Sequence, residues 1–296
     1  MAKRSRPPTL LTLAHRLVRD ERLFGRGDPV ICACSGGPDS NALLHALALL
    51  RRRVGHALVA VGVDHGLRRE ARAELGLAGA IAAAQQVPFE VVAVTVAPGP
   101  NLQARARRAR HAALQQTAAR LGATVVATGH TADDRAETVV MRLLRGAGPR
   151  GLAVLPPRAP ALDPGGVPLV RPLLRCRRSD VMAHLTRHRL DHADDPSNRD
   201  RRFLRTRVRQ ELMPLLQELS PGIVAHLCDL AGMLDRQDRS PVGAASDLLG
   251  QLGRAQRLAI DRAARLGRRE ITVRVSGGRD LRVRFFDHSP VVCDEE

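Results

Sequence analysis

The chain has no tryptophan and no tyrosine, and five phenylalanines bring its aromatic content to only 2% of 296 residues. That argues against a base-stacking platform of the kind single-strand binders use. Any bound RNA would be held by phosphate contacts, arginine planes and shape. Lysine is almost missing too, with Lys3 the only one. The five cysteines (Cys32, Cys34, Cys176, Cys228, Cys293) are odd in number and include no C-x-x-C pair. This speaks against a disulfide framework, a zinc ribbon and an iron–sulfur site. Cys32 and Cys34 alternate on an apparent strand, where small buried cysteines are common. No apolar run approaches the length of a membrane span. The basic start precedes Leu10–Leu13, but His15 and Arg16 interrupt the run too early for a signal peptide. The expected setting is a reducing cytoplasm with no membrane partner.

What is present is a core and a charge. A hydrophobic content of 44% suffices for a packed interior, and Lys+Arg 47 against Asp+Glu 30 gives +17. Such a field concentrates polyanions and speeds their encounter, so nucleic acid is the expected partner. Guanidinium suits bidentate phosphate contacts, although a GC-rich genome accounts for most of the preference for arginine over lysine.

Short apolar runs alternate with longer helical patterns. Strands are predicted at Pro29–Cys34, Ala57–Val63, Phe89–Val96 and Thr124–Thr128. Helices are predicted near 9–24, Ser40–Arg52, Glu70–Gln86, Leu102–Leu121 and Asp133–Arg145. This pattern predicts βαβ units and an α/β fold with a doubly wound parallel sheet. Gly146–Gly166, rich in glycine and proline, reads as a long loop. Further helices are expected at Ser179–Arg189, Phe203–Glu218, Ile223–Arg236 and Ala244–Leu266. A hairpin is expected from Glu270–Val275 and Leu281–Phe286 around Ser276-Gly277-Gly278. Residues 1–218 are assigned to a catalytic nucleotide domain. Residues 219–296 form a smaller, mainly helical domain.

Ser35-Gly36-Gly37-Pro38-Asp39-Ser40 falls between a strand and a helix. Two glycines allow close backbone approach to a phosphate, and the helix N-terminus offers free N–H groups. Ser35 and Ser40 add hydroxyls, and Pro38 suits the first helical turn. Asp39 brings a negative charge into this nest, which suits holding Mg²⁺ or positioning an α-phosphate. The loop lacks the G-K-[ST] ending of a Walker A motif and the G-x-G-x-x-G spacing of a dinucleotide fold. Without a lysine on the terminal phosphates, pyrophosphate is the more plausible leaving group. An ordinary capped strand-to-helix turn stays open for this loop taken alone.

Asp64 and His65 follow the second strand on the carboxyl edge, where ligands bind in such sheets; His65-Gly66 could equally be a plain turn. After the fourth strand come Gly129 and His130, then Asp133, Asp134 and Glu137. Asp133 and Glu137, four apart, are expected on one helix face, and acids in a first turn also suit the helix dipole. Arg107 and Arg110 share a helix side and could neutralise a phosphate. Arg199–Arg209 holds six arginines in eleven residues. Arg202, Arg205 and Arg209 are expected together on one side as contacts to tRNA or ATP.

Taken together, S-G-G-P-D-S (35–40), D-H-G-L-R (64–68), N-L-Q-A-R-A-R-R-A-R (101–110), G-H-T-A-D-D-R-A-E-T (129–138), R-L-L-R-G (142–146), R-P-L-L (171–174), D-D-P-S-N (194–198) and F-L-R-T-R-V-R (203–209) resemble the tRNA(Ile)-lysidine synthetase family of PP-loop ATP pyrophosphatases. The resemblance covers roughly residues 28–220. It implies that ATP adenylates O2 of the wobble cytidine in the CAU anticodon of an isoleucine tRNA. The ε-amine of free L-lysine then displaces AMP to give lysidine. It also implies ATP and Mg²⁺ as cofactors, with Asp39 the metal or phosphate residue. Asp133, Asp134 and Glu137 become partners for the lysine ammonium, and one of them the base, with His130 the lesser candidate. Free lysine has a pKa of about 10.4, so some group must take its proton before attack. Asp194–Asn198 joins the active site in this reading, and a homodimer stays open. The chain departs from the family pattern at Thr131, Arg135, His111 and Thr206. With no room for the extra C-terminal domain of longer members, tRNA discrimination is expected of residues beyond about 220. A PP-loop tRNA thiolase would need the paired cysteines that are missing. An RNA-binding relative without catalysis would not need Asp39, Asp133, Asp134 and Glu137 together.

Overall fold

The computed structural model describes residues 8–66, 70–96, 99, 102–161, 165–193, 200–238, 256, 259–260, 262–263, 266–274, 280–286 and 289–293. The chain forms two compact units. One is built from residues up to 145 with 154–228, the other from 146–153 with 229 onward.

In the first unit the apolar runs Pro29–Cys34 (β1), Ala57–Asp64 (β2), Phe89–Ala93 (β3), Val125–Ala127 (β4) and Leu169–Val170 (β6) lie parallel. Arg158–Ala159 (β5) closes the edge antiparallel to β6, giving the order β3-β2-β1-β4-β6-β5. Val30, Ile31 and Cys32 are consecutive and all buried, as expected of a strand covered on both faces. β6 was not legible in the sequence: the three residues between Pro168 and Pro172, two of them in the strand, carry no periodic signal. Gly146–Gly166 is also less bare than its composition implies. Pro149, at the first position of the short helix Pro149–Leu152 (α6), starts a turn with its preset φ, and β5 pairs in register with Val170 and Leu169.

The helix Pro38–Val54 (α2) is the centre of the packing. Gly37 caps it in extended backbone, Pro38 starts it, and Gly55 ends it in the left-handed region. Leu43, Leu44, Leu47 and Leu50 are fully buried against the sheet and neighbouring helices. Those neighbours include Leu10–Asp20 (α1), Ala71–Ala84 (α3) and Arg178–His188 (α7). Leu102–Leu121 (α4) belongs to the other core, with Leu114 and Ala118 packed on Ile31, Val61 and Val126. Ala132–Leu143 (α5) follows β4. It starts with a reciprocal cap in which Thr131 Oγ1 accepts from Asp134 N while Asp134 accepts from Thr131 N.

The predicted helix over Phe203–Glu218 resolves into Leu204–Arg207 (α8), a π turn over Val208–Leu212, and Met213–Leu219 (α9). Pro214 supplies the reason: it has no N–H to return to the preceding turn, which therefore opens. The helix Ile223–Asp238 (α10) follows. In the second unit Glu270–Arg274 (β7) and Asp280–Phe286 (β8) pair antiparallel, as the hairpin reading expected. A third strand, Ser289–Cys293 (β9), extends that sheet. Pro290 had hidden it, and as an edge strand it tolerates the missing donor. The predicted Ser276–Gly278 turn lies outside the described residues, as does most of the predicted Ala244–Leu266 helix. No described helix is long and apolar enough to cross a membrane.

Candidate active site

The sheet order places a switch point between β1 and β4. The chain leaves β1 toward β2 and β3, then returns to β4 on the other side. Ligands in such sheets sit beyond the carboxyl ends of the strands at this point. The Ser35–Ser40 loop and the Gly129–Glu137 segment face each other across it. A Cβ on Gly129 would stand 2.9 Å from both the backbone C and O of Asp39, so only glycine lets the two segments approach this closely. Gly36 has φ +81, and a Cβ there would strike the Glu74 carbonyl oxygen at 2.1 Å. The loop is tied from within. Ser40 Oγ donates to Gly37 O at 3.0 Å and accepts from Ser35 N at 3.2 Å, and Asn41 Nδ2 donates to Gly36 O and Asp191 O. No side chain caps the N-terminus of α2. Its first N–H groups are thus of the kind suited to an anion.

Asp39, in the first turn of α2, has a buried Oδ1 with no hydrogen-bond partner. Burial pushes its pKa up to about 6, with the charge of Asp134 adding to the effect. A buried, partnerless carboxylate oxygen near two further acids is chemically suited to a divalent cation such as Mg²⁺. Among the described residues of this site it is the group that fits such an ion.

Facing it, α5 presents Asp134 and Glu137. The Glu137 side chain is 3% exposed and meets Arg209 (Nε to Oε1 2.7 Å, NH2 to Oε2 2.9 Å) and Arg205 (Nε to Oε2 3.2 Å). Asp134 Oδ1 accepts from Arg205 at 3.0 Å, and its Oδ2 accepts from Thr131 N and Oγ1, each at 2.9 Å. Arg178 stands farther off, 3.7 Å from Asp134 and 3.5 Å from Glu137. Burial alone would raise the Asp134 pKa, but Arg205 and the Thr131 N–H outweigh it and hold the carboxyl below its ordinary range. Three carboxylates (Asp39, Asp134, Glu137) are thus balanced by three guanidiniums (Arg178, Arg205, Arg209).

Asp133 lies outside this group. Arg177 grips it with Nε and NH2 at 2.9–3.1 Å, and the Arg178 N–H donates to it at 2.7 Å, so it docks onto the start of α7. Asp133 and Glu137, expected on one helix face, meet different partners, whereas Asp134, three before Glu137, shares Arg205 and Arg209 with it. Of the arginine stripe, Arg205 and Arg209 turn inward to the acids. Arg202 is exposed and bound to Asp200. Asp64 accepts from Gly66 N at 2.9 Å, which with Arg72 holds its carboxyl ionised below the usual range. Here Asp64 shapes the turn at the end of β2, with His65 half-buried beside it.

The opposite wall is basic. His130 Nδ1 pairs with Thr128 Oγ1 at 3.0 Å, and burial followed by Arg171 pushes its pKa down to about 3, so the ring is neutral. Arg171 is buried, donates to Pro156 O at 2.6 Å and leaves its Nε without a partner. Burial and the nearby charge of Arg107 bring its pKa down to about 10. Arg107 and Arg110 are exposed on α4, and neither forms an ion pair with a described residue. Arg171, Arg177 and Arg178 were not singled out from the sequence. The R-P-L-L segment was the only signal for the first, and none existed for the other two. Asp194–Asn198 lies outside the described residues.

The comparisons agree with this geometry. A family model described as "PP-loop domain" matches residues 14–216. The chain is 44% identical over 209 residues to the tRNA(Ile)-lysidine synthase of Salinispora tropica, covering 70% of this chain and 62% of that one. It is 42% identical over 222 residues to the tRNA(Ile)-lysidine synthase of Pseudomonas aeruginosa, covering 74% and 47%. The chain therefore spans about half to two thirds of the length of these curated relatives. Among solved structures, the U34-tRNA thiolase NcsA of Methanococcus maripaludis shares the fold, with TM-score 0.64, 19% identity, and 77% and 80% of the two chains covered. With a glycine cradle at the switch point, an uncapped helix N-terminus behind it and a family match over more than half its length, the chain belongs to the PP-loop domain family.

Proposed function

We propose that the chain joins L-lysine to C2 of the wobble cytidine in the CAU anticodon of an isoleucine tRNA, with ATP converted to AMP and pyrophosphate. The observation that carries this reading is the buried Asp134–Glu137 pair set directly across the switch point from the PP-loop and Asp39. ATP use follows from the PP-loop domain. Bound with Mg²⁺, ATP would supply the adenylyl group that makes the cytidine oxygen a leaving group. The α2 N-terminus and the Gly36–Gly37 backbone would hold the phosphates, and Asp39 would hold the Mg²⁺. Arg107, Arg110 and Arg171 would face the negative charge. His130, being neutral, would act there as a hydrogen-bonding group and not as a cation. Asp134 and Glu137 would orient the lysine ammonium, which would replace the looser Arg178 contacts, and a carboxylate of this cluster would take its proton.

The relatives' names support tRNA as the partner, as does the charge of +17. Residues 1–218 would form the catalytic domain and residues 219–296 would contact the tRNA. The compartment would be the cytoplasm, and a homodimer is compatible with this reading. Sulfur transfer of the thiolase kind is disfavoured: Cys32, Cys34 and Cys176 are buried free thiols, and the chain has no C-x-x-C pair. The test is pyrophosphate release and incorporation of labelled lysine with the CAU tRNA. Both should require ATP and the CAU isoleucine tRNA, and both should vanish in Asp39→Asn. Neither product with the cognate tRNA would refute the assignment.

A further inference from the structure

A cluster of three histidines lies outside the site described above. His45 is on α2, and His184 and His188 are one turn apart on α7. Their ligating nitrogens lie within 4.8 Å of one another; His45 and His184 are buried and His188 is exposed. His45 Nδ1 and His184 Nε2 are 2.9 Å apart, and the three ring centroids are separated by 4.5–5.1 Å. Burial, with the neighbouring rings adding to it, lowers the pKa to about 4 for His45 and about 3 for His184.

Three imidazoles converge here from two helices, and His45 Nδ1 and His184 Nε2 already stand at hydrogen-bond distance. Two histidines at i and i+4 on a helix, with a third from a neighbouring element, are a metal-ligand arrangement. We propose that His45, His184 and His188 bind one divalent first-row transition ion of the zinc type, clamping α2 to α7. All three donors are imidazole, which suits zinc, nickel or copper and not magnesium or calcium. The site thus differs in chemistry from the oxygen donors around Asp39. Tetrahedral zinc with bonds of 2.0–2.1 Å sets ligand nitrogens about 3.3 Å apart. The pair at 2.9 Å must open slightly and the widest, within 4.8 Å, must close by up to about 1.5 Å, shifts shared between rotations of two rings. A water on the exposed side of His188 completes four-coordination. The segment His184-Leu185-Thr186-Arg187-His188 has no glutamate beside its first histidine, so no hydrolytic role is assigned.

The position of the clamp gives it a purpose. His45 follows Asp39 by six residues on α2, and His184 follows Arg178 by six on α7. Each histidine is therefore about 9 Å along its helix from a group at the active site. An ion joining them fixes the spacing of the helices that carry Asp39 and Arg178, and Arg178 is one of the charges acting on Asp39.

The experiment uses the full chain, stripped with chelator and titrated with Co²⁺, followed by Zn²⁺ competition and thermal unfolding with Zn²⁺. The expected result is one Co²⁺ per chain with the intense visible bands of a tetrahedral site and no thiolate charge-transfer band. Zn²⁺ should displace the Co²⁺. At a hundredfold excess over its Kd, Zn²⁺ should raise the unfolding midpoint by on the order of 5–10 °C. His188→Ala removes an exposed ligand that the fold does not need, and it should weaken Co²⁺ binding at least tenfold and abolish the Zn²⁺ shift. His184→Ala should do the same. Absence of stoichiometric uptake, a thiolate band, a six-coordinate spectrum, or binding unchanged in His188→Ala would each overturn the proposal. None of these readouts depends on the ligase reaction.

Discussion

Asp39→Asn should make the protein more stable while abolishing its activity. In the metal-free chain Asp39 has a pKa of about 6 against a reference of 3.8, because burial and Asp134 disfavour its charged form. A carboxyl whose folded pKa is raised binds its proton more tightly in the native state, so native stability falls as pH rises between the two values. The cost is fully present above about pH 6 and disappears below about pH 4. At 1.36 kcal/mol per pKa unit it amounts to at most about 3 kcal/mol at pH 7, falling to about half that at pH 5. Asparagine keeps the shape and removes the charge. Equilibrium urea unfolding in EDTA, without nucleotide, should therefore give Asp39→Asn the higher midpoint at pH 7.5. The gap should narrow as the pH is lowered to 5, and it should also narrow when Mg²⁺ is added, since only the carboxylate gains a counter-ion. Asp39→Asn being equally or less stable than the parent at pH 7.5 would refute the reasoning that Asp39 is a strained, cation-seeking group.

Three other perturbations separate architecture from chemistry. Gly129→Ala forces a methyl to within 2.9 Å of the Asp39 backbone; it should cost about 1–3 kcal/mol of stability and raise the KM for ATP more than the KM for lysine, measured by steady-state pyrophosphate release. Glu137→Gln removes one of the two carboxylates shared by Arg205 and Arg209, leaving Asp134 as the other; it should lower stability by roughly 1–3 kcal/mol in urea while weakening lysine binding. Asp133→Asn loosens the Arg177 clamp and should cost about 1–3 kcal/mol yet leave the KM for lysine within a few-fold of the parent. A large lysine defect there would return Asp133 to the substrate-binding group.

What could be read in advance depended on how local the physics was. The Ser35–Ser40 cradle was legible because a positive φ at Gly36 and Pro38 at a helix start are properties of the residues themselves. The parallel sheet was legible because Val30–Cys32 is apolar on both faces. Which acids of α5 meet Arg205 and Arg209 was not legible. Asp133 and Asp134 differ by one step of about 100° around the helix, and the partners of Asp133 are Arg177 and the α7 N-terminus, more than forty residues away. The same distance hid Arg178, and the abundance of arginine made no single one informative. Arg205 and Arg209 read as a surface stripe because a π turn and inward rotation leave no trace in sequence spacing.

The two oxygens of Asp134 divide their work. Oδ2 is committed to the Thr131 N–H and hydroxyl, which start the helix, and Oδ1 alone faces Arg205 and Arg209. The carboxylate therefore has no rotational freedom left to lose when a ligand arrives, and its share of the binding entropy was surrendered when the chain folded. Glutamate at this third helical position could still reach back to the Thr131 N–H, but its extra methylene would shift the second oxygen away from Arg205 and Arg209, so Asp134→Glu would keep the charge and the cap while misplacing the oxygen that faces the site.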